Sequence, residues 1–473
     1  MITLYPHQES WVKELGLAFG RHRAVLGQAP TGCGKTVAAA AIAQRAGRRG
    51  NSIIFAVHRR NLIKQTSATF DQFGIEHSVI GAGYSYDPSL DIHVASIDTL
   101  RNRMERIKFP TILVIDEAHM AAAKTWAKVA NFYKSRGTRI LGLSATPSRL
   151  DGKPLGDLFD HMVKGPSVKW LMDEGYLSKY VAYAPSEPDL SSVHTRMGDF
   201  EKHELIEAVD KPKLTGDAAR HYLKYAAGTR AICYCCSIEH SKHVADHFNA
   251  NGIPAAHIDG KTPKDEQTRV IRAFADGEYS VLCNVELITT GFDLSAQVGR
   301  DVPVETIIIL RPTQSEALHL QMIGRGLRRK PNPAVILDHS GNILRMGLPD
   351  QEREWTLEGK KKRAKKTEDA VAVRQCPQCY AAHEPAPQCP QCGFVYPVQS
   401  RELEEVDGEL HQITEAMIKR TKKVEQARAD TLDKLIALGR ARGYRNPEKW
   451  ASFVFASRKK NQKKRPQFVT GTY

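Results

Sequence analysis

The stretch Ala29-Pro-Thr-Gly-Cys-Gly-Lys-Thr36 constrains this chain more than any other. It follows an apolar run, Ala24-Val-Leu26, and leads into Val37-Ala-Ala-Ala-Ala-Ile42, which is built for helix. Thr31, Gly32, Cys33 and Gly34 are small enough for a tight turn, so successive backbone N–H groups converge on one point. A helix N-terminus behind them adds the positive end of its dipole. Lys35 can reach outer phosphates, and the Thr36 hydroxyl can hold Mg²⁺. An ordinary glycine-containing turn does not call for Gly-Lys-Thr at the opening of a helix. The stretch is read as a nucleoside triphosphate site.

At 473 residues the chain is too long for one core, and two to four domains are expected. No run of about 18 apolar residues occurs, so no membrane span is expected. Met1-Ile-Thr-Leu-Tyr-Pro6 lacks the charged start and apolar core of a signal peptide, and the expected compartment is reducing cytoplasm. A formal net charge of +15 points to a polyanionic partner or to a generally basic surface. Clustering of that charge near the C-terminus tilts the choice toward nucleic acid.

Apolar runs alternate with helical patterns along the first third. They include Ser52-Ile-Ile-Phe-Ala-Val57, Thr111-Ile-Leu-Val-Ile115 and Arg139-Ile-Leu-Gly-Leu143. Their unbroken apolar character predicts strands buried on both faces, in a parallel α/β sheet with ligands at the carboxyl ends of its strands. Asp116-Glu-Ala-His119 follows one such run. There an Asp can hold Mg²⁺ through water and the next carboxylate can orient attacking water. Ser144-Ala-Thr146 and His58-Arg59 follow two others, and Gln8 lies upstream with an amide able to read adenine. A second set of runs comprises Arg230–Cys236, Tyr279–Cys283, Thr306–Leu310 and Ala334–Leu337. Cys233 and Cys236 lie inside one of them, where small thiols pack well, so a metal role is not expected. Leu287-Ile-Thr-Thr-Gly-Phe-Asp293 and Gln321-Met-Ile-Gly-Arg-Gly-Leu-Arg328 come later, and an Arg delivered from a second lobe can stabilise γ-phosphate charge.

This ordered set resembles the superfamily 2 helicases and translocases over roughly residues 1 to 345. Within them the chain is most similar to the RadD-like branch and its phage-encoded relatives, on Asn284–Asp293, Leu310–Ser315 and Ile336–Asn342. The resemblance implies ATP-driven movement on, or unwinding of, nucleic acid in a bacterial or phage-infected cytoplasm. DNA is favoured over RNA, and replication or repair proteins are the expected further partners. It also implies roles. Gln8 reads adenine, while Thr31, Gly32, Cys33, Gly34, Lys35 and Thr36 hold phosphates and Mg²⁺. Asp116 binds Mg²⁺, and Glu117 positions water. His119, Gln321, Ser144 and Thr146 couple hydrolysis to movement. Gly291 and Asp293 close the nucleotide site from the second lobe, with Arg325 and Arg328 as finger residues. His58, Arg59, Thr99, Ser237 and Thr290 contact nucleic acid. A repair protein using ATP as a conformational switch and the motor subunit of a restriction complex are the rivals.

The expected architecture is α/β, with two tandem RecA-like parallel-sheet lobes, then a zinc-ribbon-like module and a helical C-terminal region. The boundaries are 1–150, a connecting segment 151–212, a second lobe 213–348, a basic linker 349–370, the module 371–398, and the tail 399–473. The linker holds the run Lys360–Lys366. Cys376-Pro-Gln-Cys379 and Cys389-Pro-Gln-Cys392 have the spacing of two knuckles around one structural Zn²⁺. The module is expected to need metal for its own folding but not for ATP chemistry. Leu410, Ile413, Met417, Val424, Leu432 and Ile436 recur at helical spacing. Asn446-Pro447 then opens a further helix carrying Trp450, Phe453 and Phe455 ahead of the basic run Arg458–Arg465.

Overall fold

The computed structural model describes residues 3–58, 60–120, 124–149, 152–184, 188–196, 198–210, 212–288, 294–358, 373–397, 425–426, 429–444 and 446–462. The chain divides into two compact units, Met1–Pro397 and Val398–Tyr473. Residues 360–366, the apolar positions 410, 413, 417 and 424, and residues 463–465 of the basic tail lie outside the described residues.

The first unit contains two wholly parallel sheets. The first has β1 (Ala24–Gln28), β2 (Ile53–Val57), β3 (Ser78–Ile80), β4 (Ile92–Ser96), β5 (Ile112–Asp116), β6 (Arg139–Ser144) and β7 (His161–Lys164). Their order is β3-β4-β2-β5-β6-β1-β7. Helices α1 (Pro6–Phe19), α2 (Lys35–Gly47), α3 (Arg60–Gln72), α4 (Ile97–Arg103) and α5 (Lys124–Lys134) accompany them. Val25, Phe55, Val114 and Leu141 pack on one face with Trp11 and the alanines of α2. Leu26, Ile54, Leu113 and Ile140 pack on the other with Trp126, Tyr133 and Phe159. Burial on both faces is why these strands are apolar without alternation.

The chain crosses to the second sheet through α6 (Val168–Asp173) and enters it at β8 (Tyr180–Tyr183). A hairpin of β9 (Thr195–Arg196) and β10 (Asp199–Phe200) and helices α7 (Lys202–Val209) and α8 (Pro212–Tyr225) precede β11 (Ala231–Tyr234). There follow α9 (Ile238–Ala250), β12 (Ala255–Ile258), α10 (Lys264–Asp276), β13 (Val281–Asn284), α11 (Leu294–Val298), β14 (Thr306–Ile309), α12 (Glu316–Gly324), β15 (Ala334–Asp338) and α13 (Asn342–Met346). The sheet order is β12-β13-β11-β14-β15-β8. Cys233, Cys235 and Cys283 are buried in its core and act there as small apolar residues.

Three features depart from the sequence reading. The segment 151–212, read as connection, supplies a strand to each sheet. Both strands sit at sheet edges, and β7 buries only Val163, so neither has a continuous apolar signature. The cysteine segment is not a freestanding module. It forms a small sheet of β16 (Arg374–Gln375) and β17 (Ala382–His383) that docks against the edge strand β8. Tyr183 pairs antiparallel with Ala381, the Ala184 N–H donates to Tyr380 O at 3.0 Å, and the Tyr225 hydroxyl donates to Cys379 O at 3.3 Å. Finally, residues 349–358 form a strap rather than a loose linker. Arg353 pairs with Glu316 of α12 at 2.8 Å, while Leu357 O accepts the N–H groups of Leu155 and Gly156 in the first lobe, both at 2.9 Å.

The second unit holds α14 (Leu432–Ala441) and α15 (Pro447–Gln462), packed around Ala429, Leu435 and Ala451. Asn446 Oδ1 accepts the Lys449 N–H at 3.1 Å, the cap expected ahead of Pro447. Among the described residues no helix is long and apolar enough to cross a membrane.

Candidate nucleotide site and cysteine cluster

The phosphate loop links β1 to α2. Gly32 and Gly34 have φ of +88° and +84°, a region glycine enters without strain. Gly34 is also pressed against the end of α1, because a Cβ there would lie 2.3 Å from Gln8 Nε2. That amide donates to Cys33 O at 2.8 Å, and Gln8 Oε1 accepts the Tyr5 N–H at 3.0 Å. Gln8 therefore ties the start of α1 to the loop, with one end of its amide on the Tyr5 N–H and the other on Cys33 O. Lys35 Nζ folds back onto Ala29 O and Pro30 O, at 3.0 and 3.1 Å. Thr36 follows it in the first turn of α2, half-buried. Thr31 meets the second lobe directly, since a Cβ on Gly324 would lie 2.7 Å from Thr31 Cβ.

Asp116 and Glu117 stand at the carboxyl end of β5, on the strand beside β6. Glu117 has φ of +50°, costly for a residue with a side chain, and its N–H donates to Asp116 Oδ1 at 3.0 Å. Burial and the neighbouring Glu117 carboxylate push Asp116 up to about 7, against the pull of Lys35. Burial raises Glu117 too, opposed by Lys35 and by Arg325 from the second lobe. Glu117 Oε2 is buried without a hydrogen-bond donor among the described residues; His119 Nδ1 lies 3.4 Å away. His119 Nδ1 is also 3.2 Å from Ser144 Oγ, which accepts the Thr146 N–H at 3.2 Å. Burial depresses His119 to about 4, so the ring is neutral. A relay of side chains thus runs from β5 to the end of β6.

Gln321 is buried on α12, and its Nε2 has no hydrogen-bond partner among the described residues. Arg325, at the C-terminal end of that helix, is half-buried and acts electrostatically on Glu117 across the cleft. Arg325 and Arg328 both lie near the buried Tyr234. Of the residues assigned to nucleic acid, His58 and Thr99 are half-buried just beyond β2 and β4. Ser237 caps α9, its hydroxyl accepting the His240 N–H at 3.0 Å, and is 8% exposed. Arg59, Thr290, Gly291 and Asp293 lie outside the described residues. Sequence reasoning missed Leu177, Ser178 and Arg353. None carries a motif, and the sole available signal was the inward-facing alternation of 351, 353, 355 and 357, read as linker.

The four thiols of Cys376, Cys379, Cys389 and Cys392 lie within 4.8 Å of one another. The closest approaches are 3.6 Å for Cys376–Cys392 and 3.8 Å for Cys379–Cys389. A tetrahedron of sulfurs about 2.3 Å from a central ion has edges of about 3.8 Å. The two halves repeat one turn: the Tyr380 N–H donates to Cys376 O at 2.9 Å, and the Gly393 N–H to Cys389 O at 3.0 Å. Both turn residues have positive φ, +60° and +76°.

Residues 1–149 match the family described as type III restriction enzyme, res subunit, and residues 215–330 match the helicase conserved C-terminal domain. A Lactococcus phage protein known as the 51.5 kDa protein is 33% identical over 399 residues, covering 83% of each chain. The candidate ATP-dependent helicase IRC3 of Saccharomyces cerevisiae is 28% identical over 296 residues, which is 59% of this chain but only 42% of the yeast protein. Among solved structures, a fragment of a candidate HsdR subunit of a type I restriction enzyme from Vibrio vulnificus superposes with a TM-score of 0.57. It is 20% identical, covers 73% of this chain and 65% of that one, and shares the two-lobe fold. With both motor domains and a phage homologue spanning most of its length, the chain belongs to the superfamily 2 helicases and is an ATP-hydrolysing nucleic-acid helicase or translocase.

Proposed function

We propose that the chain is a DNA motor whose ATP site lies between the two sheets, with the division between its lobes falling between β7 and β8. The observation that carries this is the close approach of second-lobe Gly324 to Thr31 of the phosphate loop, which brings the adjacent Arg325 within electrostatic reach of Glu117. ATP would rest on the backbone of Gly32 and Gly34, with Lys35 leaving its own loop carbonyls for the phosphates. The crowded, partly protonated pair Asp116 and Glu117, one oxygen of it without a donor, fits a site that a cation relieves. Asp116 and Thr36 would hold Mg²⁺, which supplies charge neutralisation at the phosphates. Glu117 orients water and takes its proton, and Arg325 and Arg328 answer the developing charge. His119, Ser144 and Thr146 carry the change along the first lobe, and Gln321 receives it in the second. His58, Arg59, Thr99 and Thr290 are assigned to the nucleic-acid strand, and Gly291 and Asp293 to the nucleotide. DNA is preferred because the first lobe matches a restriction-enzyme subunit, and restriction acts on DNA. The four cysteines are assigned one structural Zn²⁺, on their near-tetrahedral spacing. Replication, recombination or repair in a bacterial or phage-infected cytoplasm is the proposed setting.

The same match favours a second reading, a motor acting within a restriction-type complex. Both are tested by ATPase and strand-separation assays on single-stranded, duplex and forked DNA and RNA. Wild type should be stimulated by DNA, whereas Glu117→Gln should bind ATP and turn over at least 100-fold more slowly. Stimulation by RNA alone ends the DNA assignment. Near-normal turnover by Glu117→Gln ends the site assignment. ATPase and translocation on DNA without strand separation favour the restriction-type motor.

A further inference from the structure

Between β7 and β8 the chain crosses from one sheet to the other, and Leu177-Ser178 touches both halves of the nucleotide site. Leu177 is buried against the phosphate loop, where a Cβ on Gly32 would lie 2.8 Å from Leu177 Cδ2. Its backbone pairs antiparallel with Arg328. The next residue holds the same loop more tightly. The Ser178 N–H donates to Leu327 O at 2.9 Å. The Ser178 hydroxyl, 5% exposed, lies 3.1 Å from Arg328 O and 3.2 Å from Lys330 O, and it accepts the Lys330 N–H at 3.0 Å. Residues 327–330 are thus wrapped around one side-chain oxygen. They begin two residues after Arg325 and include Arg328.

The surroundings raise the stakes of that oxygen. Leu177 and Leu327 are buried on either side, so water has poor access to the groups it satisfies. Removing the hydroxyl leaves a carbonyl and an N–H unmet, and the loop must shift to recover them. A shift of about 1 Å in a charged group facing a reacting phosphate can cost up to about 100-fold in rate.

We infer that Ser178 is a positioning residue for the second-lobe Arg328, fixing the backbone that carries it while its neighbour Leu177 ties the same crossing to the phosphate loop at Gly32. Movement of the loop on nucleotide binding then reaches Arg328 through two adjacent residues. This rests on the roles proposed above for Arg325 and Arg328.

The test is a double-mutant cycle in the full chain, with Ser178→Ala, Arg328→Ala and both together, read as steady-state kinetics with DNA. Ser178→Ala should lower kcat about 10-fold and leave the KM for ATP within twofold. Ser178→Thr, which keeps the hydroxyl, should recover most of that loss. In the Arg328→Ala background, Ser178→Ala should cost less than twofold further, because the residue it positions is gone. A kcat within twofold of wild type, a Thr variant as slow as the Ala one, or an undiminished 10-fold loss in the Arg328→Ala background would overturn the inference. If Ser178→Ala unfolds below the assay temperature, Ser178→Cys enters the same cycle. Wild-type kcat in both Arg325→Ala and Arg328→Ala would sink the arginine assignment itself, and this inference with it. A silent Ser178→Ala beside crippled arginine variants sinks this inference alone.

Discussion

Replacing Cys389 and Cys392 with Ser should weaken the motor, not only the segment that carries them. The cysteine segment is joined to the second sheet by three hydrogen bonds: Ala184 to Tyr380 at 3.0 Å, Tyr225 to Cys379 at 3.3 Å, and the Gln375 amide to Ala184 O. At roughly 1 kcal/mol net each these contribute about 3 kcal/mol. Tyr183, Ala381 and Ala382 are buried by the same docking and add about 1–2 kcal/mol of apolar burial. If the four cysteines hold the Zn²⁺ proposed for them, its loss from so short a segment should forfeit most of that sum, about 4 kcal/mol. For a unit of this size, 1 kcal/mol moves Tm by roughly 1 °C, which gives a fall of about 4–5 °C. Basal ATPase should fall as well, because β8 begins two residues after Ser178. Differential scanning fluorimetry and basal ATPase, on wild type with and without chelator and on the double variant, read both effects. Elemental analysis sets the starting point, at one zinc per chain. A metal-free, folded double variant with Tm within 2 °C of wild type and unchanged basal ATPase would refute the reasoning.

Two further outcomes follow from the site. Asp116 is raised in the fold, to about 7 from an ordinary carboxyl value of 3.8, so the native state holds a proton that the unfolded chain has released. Stability without nucleotide should therefore fall as pH rises from about 4 to about 7, while half-saturating Mg²⁺ in the ATPase assay should drop over pH 6 to 8; flat profiles in both would reject the assignment. Gly34→Ala places a methyl 2.3 Å from Gln8 Nε2 at a φ of +84°. It should weaken nucleotide binding at least 10-fold by isothermal titration, and it should lower stability by about 1–3 kcal/mol in urea unfolding.

The central strands of both sheets were legible because each is buried on both faces and is therefore unbroken in apolar character, as Ile53–Val57 and Thr306–Ile309 show. The phosphate loop and the acidic pair were legible because their chemistry demands fixed residue types at fixed spacing. Edge strands were not. Tyr180–Tyr183 is half polar in its environment and gains its place from Val335 on one side and Ala381 on the other, neither near it in sequence. The hydrogen bonds of Gln8 to Tyr5 and Cys33 were not legible, because they depend on how α1 meets the loop. The cap that Ser237 places on α9 was not read either, because it depends on where that helix begins.

The strap over residues 349–358 bears on how the engine can move. It is anchored to the second lobe at Arg353 and to the first at Leu357, and so short a span reaches at most about 14 Å when fully stretched. The crossing between Lys164 and Tyr180 fastens the same two bodies elsewhere. Wherever the lobes separate beyond that reach, the strap must give up either the Arg353–Glu316 pair or the bonds at Leu357 O, so the strap sets a limit on opening that the crossing does not.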